Sequence, residues 1–344
     1  MRAKVLLIMT GGTISMVQKN KTGALCPASL STFKHFVPEL NEADFHIEVI
    51  AFDSMIDSSD VHPNDWVHMA EAVKSHYNDY DGFVILHGTD TMAYSASALS
   101  FMLGNLSKPV VFTGSQLPIG VLRSDAKENL LTAIEIAAAK RKDGSAMVPE
   151  VTIFFEGHLF RANRTTKRNA EHFSAFYSYN YTPLAQAGVH ITYNEQLIHY
   201  PQTIAPLEVH TALDRNVAIL KLFPGITEQV VAAILNTPNL KAVVLETYGA
   251  GNAPSYDWLY EQLRSAIERG VIIVNKTQCS TGSVDMQLYD VSRNLLKAGV
   301  LSGYDMTTEA LLAKLMFLFG TYPNDVEQIK ILLQQPLVGE LTIH

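Results

Sequence analysis

Apolar residues along this chain gather in short, near-continuous runs. Between the runs lie segments whose apolar positions recur every three or four residues. The runs at residues 5–9, 45–52, 82–87, 109–113 and 151–155 are rich in Val, Ile, Leu and Phe, as strands buried on both faces are. The intervening periodic segments predict helices. Residues 64–77 set Trp66, Met69, Ala70, Val73 and Tyr77 on one face, with Pro63 near the start. Further helices are predicted at 92–103 and 125–139. This alternation predicts a parallel sheet with helices on both sides. From Thr182 to Arg215 the period loosens, and Pro183, Pro201 and Pro206 interrupt it. The alternation then resumes, with strands at 217–223, 242–246 and 271–275 and helices at 227–236, 256–268, 307–319 and 324–334. No repeat recurs at a fixed period. The pattern predicts an α/β domain over residues 1–185, a linker over 186–212 and a second α/β domain over 213–344.

The residues that follow each predicted strand carry more information than the strands. The first strand runs into Thr10-Gly11-Gly12-Thr13, the second into Asp57-Ser58-Ser59-Asp60. The third ends in His87-Gly88-Thr89-Asp90-Thr91 and the fourth in Thr113-Gly114-Ser115-Gln116. In an open parallel sheet the strand C-termini share one edge, and ligands bind in the crevice there. Each motif alone has a plain structural explanation: Asp90 can cap the following helix, and Ser58 and Ser59 suit a turn. Their convergence on one edge points to a binding site.

Bulk properties narrow the chemistry. The 344 residues exceed a usual single core. With 47% hydrophobic and 17% charged residues, the composition is that of an ordinary globular protein. A net charge of −8 and the lack of a basic stripe argue against nucleic acid and anionic lipid as partners. After Arg2 and Lys4 only five apolar residues precede the Gly-Gly turn, so neither a signal peptide nor a membrane span is expected. Two distant cysteines, Cys26 and Cys279, suit a reducing cytoplasm.

Several motif classes are missing. Gly11-Gly12 lacks dinucleotide-loop spacing, and Gly249-Ala250-Gly251-Asn252-Ala253-Pro254 ends in proline. There is no phosphate loop, no Gly-x-Ser-x-Gly elbow and no zinc-ligand spacing among the histidines and cysteines. Hydroxyls, carboxylates and an amine remain. A threonine hydroxyl needs a base to become a nucleophile. Lys167, with Arg161, Arg164 and Arg168 nearby in sequence, is an amine whose proton affinity crowding by cations would lower.

These residues together resemble the bacterial-type L-asparaginases, closest to the type I, cytoplasmic branch. "TGGTI" at 10–14 and "HGTDTMAYSASALSFML" at 87–103 are similar to that family's two signature motifs. "TGSQLP", "NRTTK", "YGAGNAP" and "TQCSTG" follow in order, so the likeness spans nearly the whole chain. The resemblance implies a larger N-terminal parallel-sheet domain with flanking helices and a smaller C-terminal α/β domain. It implies hydrolysis of L-asparagine to L-aspartate and ammonia through an acyl-threonine, without a cofactor or metal, in a homo-oligomer (a dimer or a dimer of dimers). It implies Thr13 as nucleophile, with Thr89, Asp90 and Lys167 as a second catalytic group. Gly12, Asp57, Ser58, Ser59, Gly88, Thr89 and Asp90 would bind substrate, with Asn252 reaching a neighbouring subunit's site. Two departures stand out. The family's loop tyrosine has no counterpart between Ile14 and Leu30, where Ala24 and Leu25 stand. The arginine of the type I effector site is replaced by Glu246, whose carboxylate would repel an effector's carboxylate; Thr166 and Cys279 resemble the other effector residues. A relaxed asparaginase/glutaminase and a non-catalytic amino-acid sensor on the same fold are the alternatives.

Overall fold

The computed structural model describes residues 2–18, 25–27, 30–41, 45–287 and 290–343. Part of the segment after Thr13, residues 19–24 and 28–29, including Ala24, lies outside the described residues. The chain divides into two compact units, Met1–Val209 and His210–His344.

The first unit is built on strands β1 (Ala3–Gly11), β2 (Phe45–Ile56), β3 (Gly82–Leu86), β4 (Val110–Thr113) and β5 (Val151–Phe155). They are continued by β6 (His158–Arg161), β7 (Ala185–Ala187) and β8 (Ile191–Tyr193). Among the described residues these form one sheet in the order β8-β7-β6-β5-β4-β3-β1-β2. The β2-β1-β3-β4-β5 part is parallel; the pairings from β5 outward to β8 are antiparallel. Val5, Leu7 and Met9 of β1 pack into a core with Leu130 and Ile134. Leu6 and Ile8, which point the other way, are equally buried. Both faces of the sheet are therefore covered, which explains the continuous apolar runs.

Helix α1 (Pro63–His76) starts with a capping box: the His62 ring accepts from Asn64 N–H, and Asp65 accepts from His62 N–H. It buries Trp66, Met69, Ala70 and Val73, and the Trp66 indole donates to Ser95 Oγ at 2.9 Å. Ser95 belongs to α2 (Met92–Met102), whose side chains are almost all buried; α3 (Ala126–Ala138) packs on β4, β3 and β1.

The expected connection over 186–212 is organised differently. Residues up to Val209 group with the first unit: β7 and β8 form the sheet edge, and Glu208–Val209 pairs with Leu103–Gly104. Strands of two or three residues interrupted by prolines are too short to show a period, so the pattern there reads as irregular.

The second unit is a parallel sheet of β9 (Val217–Lys221), β10 (Ala242–Thr247), β11 (Ile272–Thr277) and β12 (Leu301–Ser302), in that order. Helices α4 (Glu228–Leu235) and α5 (Asp257–Glu268) connect the first three strands, and Leu245, Ile273, Leu259 and Leu263 share its core. Helices α6 (Asp290–Lys297), α7 (Thr308–Thr321) and α8 (Val326–Leu333) complete it. Among the described residues no helix is long and apolar enough to cross a membrane.

Candidate active site

The strand order β2-β1-β3 places a topological switch at β1: the chain leaves β1 for one neighbour and returns to the other. Such a point opens a crevice beyond the strand C-termini. The register then decides what fills it. Met9 lies beside Leu86, and Leu86 beside Thr113. The segments after β1, β3 and β4 therefore emerge level with one another. Between Met9 and Gly11 the β1–β2 register shifts, so that Gly11 faces Ile56 and the Asp57–Ser59 turn is delivered to the same edge.

Glycine allows these loops to touch. Gly12 has φ 75°, and a Cβ built on it would stand 2.3 Å from the Gly88 nitrogen. A Cβ on Gly88 would stand 2.5 Å from Ser58 Oγ. Three segments distant in sequence thus meet, two of them backbone to backbone and the third through the Ser58 side chain. Hydroxyls lock them: Thr10 Oγ1 donates to Leu86 O at 2.9 Å, and Thr91 Oγ1 to Ser58 O at 2.6 Å.

The functional groups sit on this frame. Lys167 Nζ lies 2.8 Å from Thr89 Oγ1 and 2.6 Å from Asp90 Oδ1, with 17% of the lysine side chain exposed. The cationic crowding expected around Lys167 gives way to an ion pair with Asp90. Arg161 is turned to Glu150, with Nε 2.6 Å from Oε2, and lies with Arg164 over the Tyr181 ring. Arg168 lies over Tyr177. The guanidinium groups are stacked and paired elsewhere because each has an aromatic or anionic partner of its own.

Thr13 follows Gly12 in a one-turn 3-10 segment, Thr13–Ser15, and is half-buried. Gly12 N–H is already donated to Ile56 O, so Gly12 contributes space and backbone shape in place of an amide donor. Asp57 accepts from both the N–H and the hydroxyl of Ser59 at 2.9 Å. Those bonds hold the Asp57 carboxyl below its ordinary range, in the anionic form. The Ser59 hydroxyl proton therefore points at Asp57, while Ser58 is buried against Gly88.

His87, at the start of the second motif, is fully buried. Its Nδ1 bonds Gly88 O at 2.7 Å; a carbonyl only accepts, so Nδ1 carries the proton. Burial pushes the ring down to about 4, so it is neutral at pH 7. Asp125 and Asn129, which no motif marks, also shape this edge. Asp125 accepts from the N–H groups of Gln116 and Leu117, and Asn129 donates to Gly114 O, so the start of α3 fixes the segment after β4.

In the second unit, Asn252 closes a tight turn in which Tyr248 N–H donates to Asn252 O and Asn252 N–H to Tyr248 O. Its Oδ1 is buried without a hydrogen-bond partner among the described residues. Glu246 accepts from Thr308 Oγ1 at 3.0 Å and faces Lys221 at 3.5 Å. Cys279 is exposed, its N–H donated to Thr277 Oγ1. Thr166, in the first unit, pairs with Tyr177 in a short antiparallel ladder. Among the described residues no group of three or more His, Cys, Asp or Glu side chains is placed to hold a metal ion.

An open α/β sheet whose strand ends bring together threonines, a lysine–carboxylate pair and touching glycines has the groups that a hydroxyl-based hydrolase requires. The particular family follows from comparison. A family model described as Asparaginase, N-terminal, matches residues 4–199, and one described as Glutaminase/Asparaginase C-terminal domain matches 216–333. The chain belongs to the asparaginase family. It is 44% identical over 344 residues to L-asparaginase 1 of Escherichia coli, covering 99% of this chain and 98% of that protein. The 60 kDa lysophospholipase of Homo sapiens is 42% identical over 98% of this chain, which spans only 61% of that longer protein. The crystal structure of L-asparaginase I from Vibrio cholerae superposes with a TM-score of 0.89 at 40% identity, over 100% of both chains.

Proposed function

We propose that this protein hydrolyses L-asparagine to L-aspartate and ammonia through an acyl-threonine intermediate. The observation that carries the reading is the contact of Lys167 Nζ with both Thr89 Oγ1 and Asp90 Oδ1, on a sheet edge where Gly12 meets Gly88. The full-length likeness to L-asparaginase 1 supports it.

In this reading the substrate α-ammonium is met by Asp90 and Asp57. The α-carboxylate is met by Ser58 and by Ser59, whose hydroxyl turns from Asp57 to donate to it. Thr13 Oγ attacks the side-chain amide carbon. The C–N bond breaks, ammonia leaves with a proton delivered through Thr89 and Lys167, and an ester to Thr13 remains. Water then attacks the ester, the C–O bond to Thr13 breaks, one water proton goes to Thr13 Oγ and the water hydroxyl becomes part of the aspartate side-chain carboxyl group. Asn252 serves the site of a neighbouring subunit in a homo-oligomer, a dimer or dimer of dimers; its place in the "YGAGNAP" stretch, which resembles the family's, is the supporting feature. The two widely separated cysteines support a cytoplasmic location.

The test is ammonia release from asparagine and from glutamine over a concentration series. Turnover of asparagine well above glutamine is expected. Comparable rates on the two amides indicate a relaxed asparaginase/glutaminase, and binding without ammonia release indicates a sensor.

A further inference from the structure

Gln116 lies outside the set of residues assigned above, yet its carboxamide touches the Thr89 hydroxyl. Its Nε2 is 3.2 Å from Ala170 O and 3.2 Å from His172 O. Both are carbonyl oxygens, which only accept, so the amide nitrogen must face them and Oε1 must face the other way. Oε1 lies 3.1 Å from Thr89 Oγ1. An amide oxygen is also only an acceptor, so the single hydroxyl proton of Thr89 is donated to Gln116. Thr89 Oγ1 then has only lone pairs for Lys167 Nζ, 2.8 Å away, and Lys167 is the donor in that contact. One amide orientation fixes the direction of every bond from His172 O to Lys167.

The platform under Gln116 is rigid. Its N–H and that of Leu117 are both received by Asp125 at the start of α3, and Asn129 holds Asp125 and Gly114 O together. Ala170 and His172 lie just beyond Lys167 in the chain, so the same carboxamide ties the lysine-bearing segment to that platform.

We infer that Gln116 is a positioning residue for the proposed proton relay. It parks the Thr89 proton away from Lys167 in the resting site and anchors the segment that carries the lysine. Lys167, which donates to Thr89 and is ion-paired with Asp90, can take a proton from Thr89 only after it has given one up and the hydroxyl has turned from Gln116, so Gln116 sets the starting point of that movement. The inference rests on the asparaginase reading for its kinetic consequences and on geometry alone for the anchoring.

The experiment uses the full chain with Gln116→Leu, which removes both ends of the carboxamide's function, and Gln116→Glu, which keeps the acceptor for Thr89 but loses both donors. Kinetics are measured on asparagine and on L-aspartate β-hydroxamate, whose leaving hydroxylamine is a weaker base than ammonia and leans less on proton delivery. Gln116→Leu should lower kcat on asparagine by at least about tenfold, with KM within about threefold. The loss should be smaller in Gln116→Glu, and smaller in both variants on the hydroxamate. A kcat within twofold of the unsubstituted enzyme overturns the relay role, as does an equal loss on both substrates. Amide hydrogen exchange over residues 168–175 is read in parallel and should quicken in both variants, while that of β1 and β3 stays unchanged. Unchanged exchange over 168–175 overturns the anchoring role. If the unsubstituted protein releases no ammonia, the asparagine reading and with it the relay role fall, and exchange decides the anchoring role.

Discussion

The two units end their parallel strands in polar residues, yet the two edges behave differently. In the first unit Thr13, Thr89, Asp90 and Lys167 collect where Gly12 and Gly88 touch, and the lysine reaches across to a hydroxyl and a carboxylate from another strand end. In the second, neighbouring strands place Lys221, Glu246 and Lys276 in one row, and these charges are satisfied locally. Glu246 is held by Thr308 and Lys221, and Lys276 donates to Thr277 O beside its own strand end. Burial pushes Lys276 down while Glu246 and Glu309 oppose the shift. The difference teaches that strand order alone does not make a reactive site. Reactive groups stay available where loops pack through glycine backbones and leave the side chains to meet one another. They are consumed where each side chain finds a partner close to its own strand end.

The sharpest way to break the comparison is Thr13→Ala. We expect ammonia release from asparagine to fall by at least about a thousandfold with an unchanged melting temperature. Turnover near that of the unsubstituted enzyme would move the nucleophile to Thr89. Next is Gly88→Ala, whose new methyl would collide with Ser58 and press on Gly12. Parting those loops should lower kcat/KM by about a hundredfold, with a stability loss of roughly 1–3 kcal/mol by urea unfolding. Undiminished kcat/KM would show that the glycine contacts do not set the geometry.

His87 gives a pH signature. Its folded pKa of about 4 lies below the ordinary 6.5, so between these values the unfolded chain binds an extra proton. Stability should therefore fall as the pH drops from 6.5 toward 4, by up to about 3 kcal/mol from this residue. In His87→Gln that part of the slope should vanish; an unaltered slope in urea titrations at pH 7 and 5 removes His87 as its source. The smallest effect belongs to the second unit. Lys221 is mostly exposed, so Glu246→Gln should change stability by less than about 1 kcal/mol. Asparagine saturation should be hyperbolic in both forms, because Glu246 already has its partners. A sigmoidal curve would show that this edge takes a ligand after all.

Much of the site was legible because it depends on local order. Apolar runs marked β1 to β5, and what followed the first three held the candidates Thr13, Ser58, Thr89 and Asp90. Gln116 stood in the same list, at the end of β4, but nothing local singled it out. Its partners lie 27, 54 and 56 positions away, and its role depends on which end of an amide faces which oxygen. The arginines around Lys167 misled for the same reason: adjacency along the chain says nothing of where a long side chain finds its partner. In the sequence His87 is only the first letter of a motif; burial makes it a neutral ring bonded to the Gly88 carbonyl.

By itself, then, the sequence determined the α/β alternation, the polar character of the strand ends and the family. Periodicity and residue type are properties of short stretches, and those stretches fold into the same elements in any α/β frame. Tertiary structure decided which strand ends lie level, which glycines touch, that Asp90 pairs with Lys167, and which way the Thr89 proton points. Those are matters of strand register and of hydrogen-bond polarity across long loops. Both depend on segments far apart along the chain: register moves in whole-residue steps of about 3.3 Å, and bond polarity turns on which atom faces which partner.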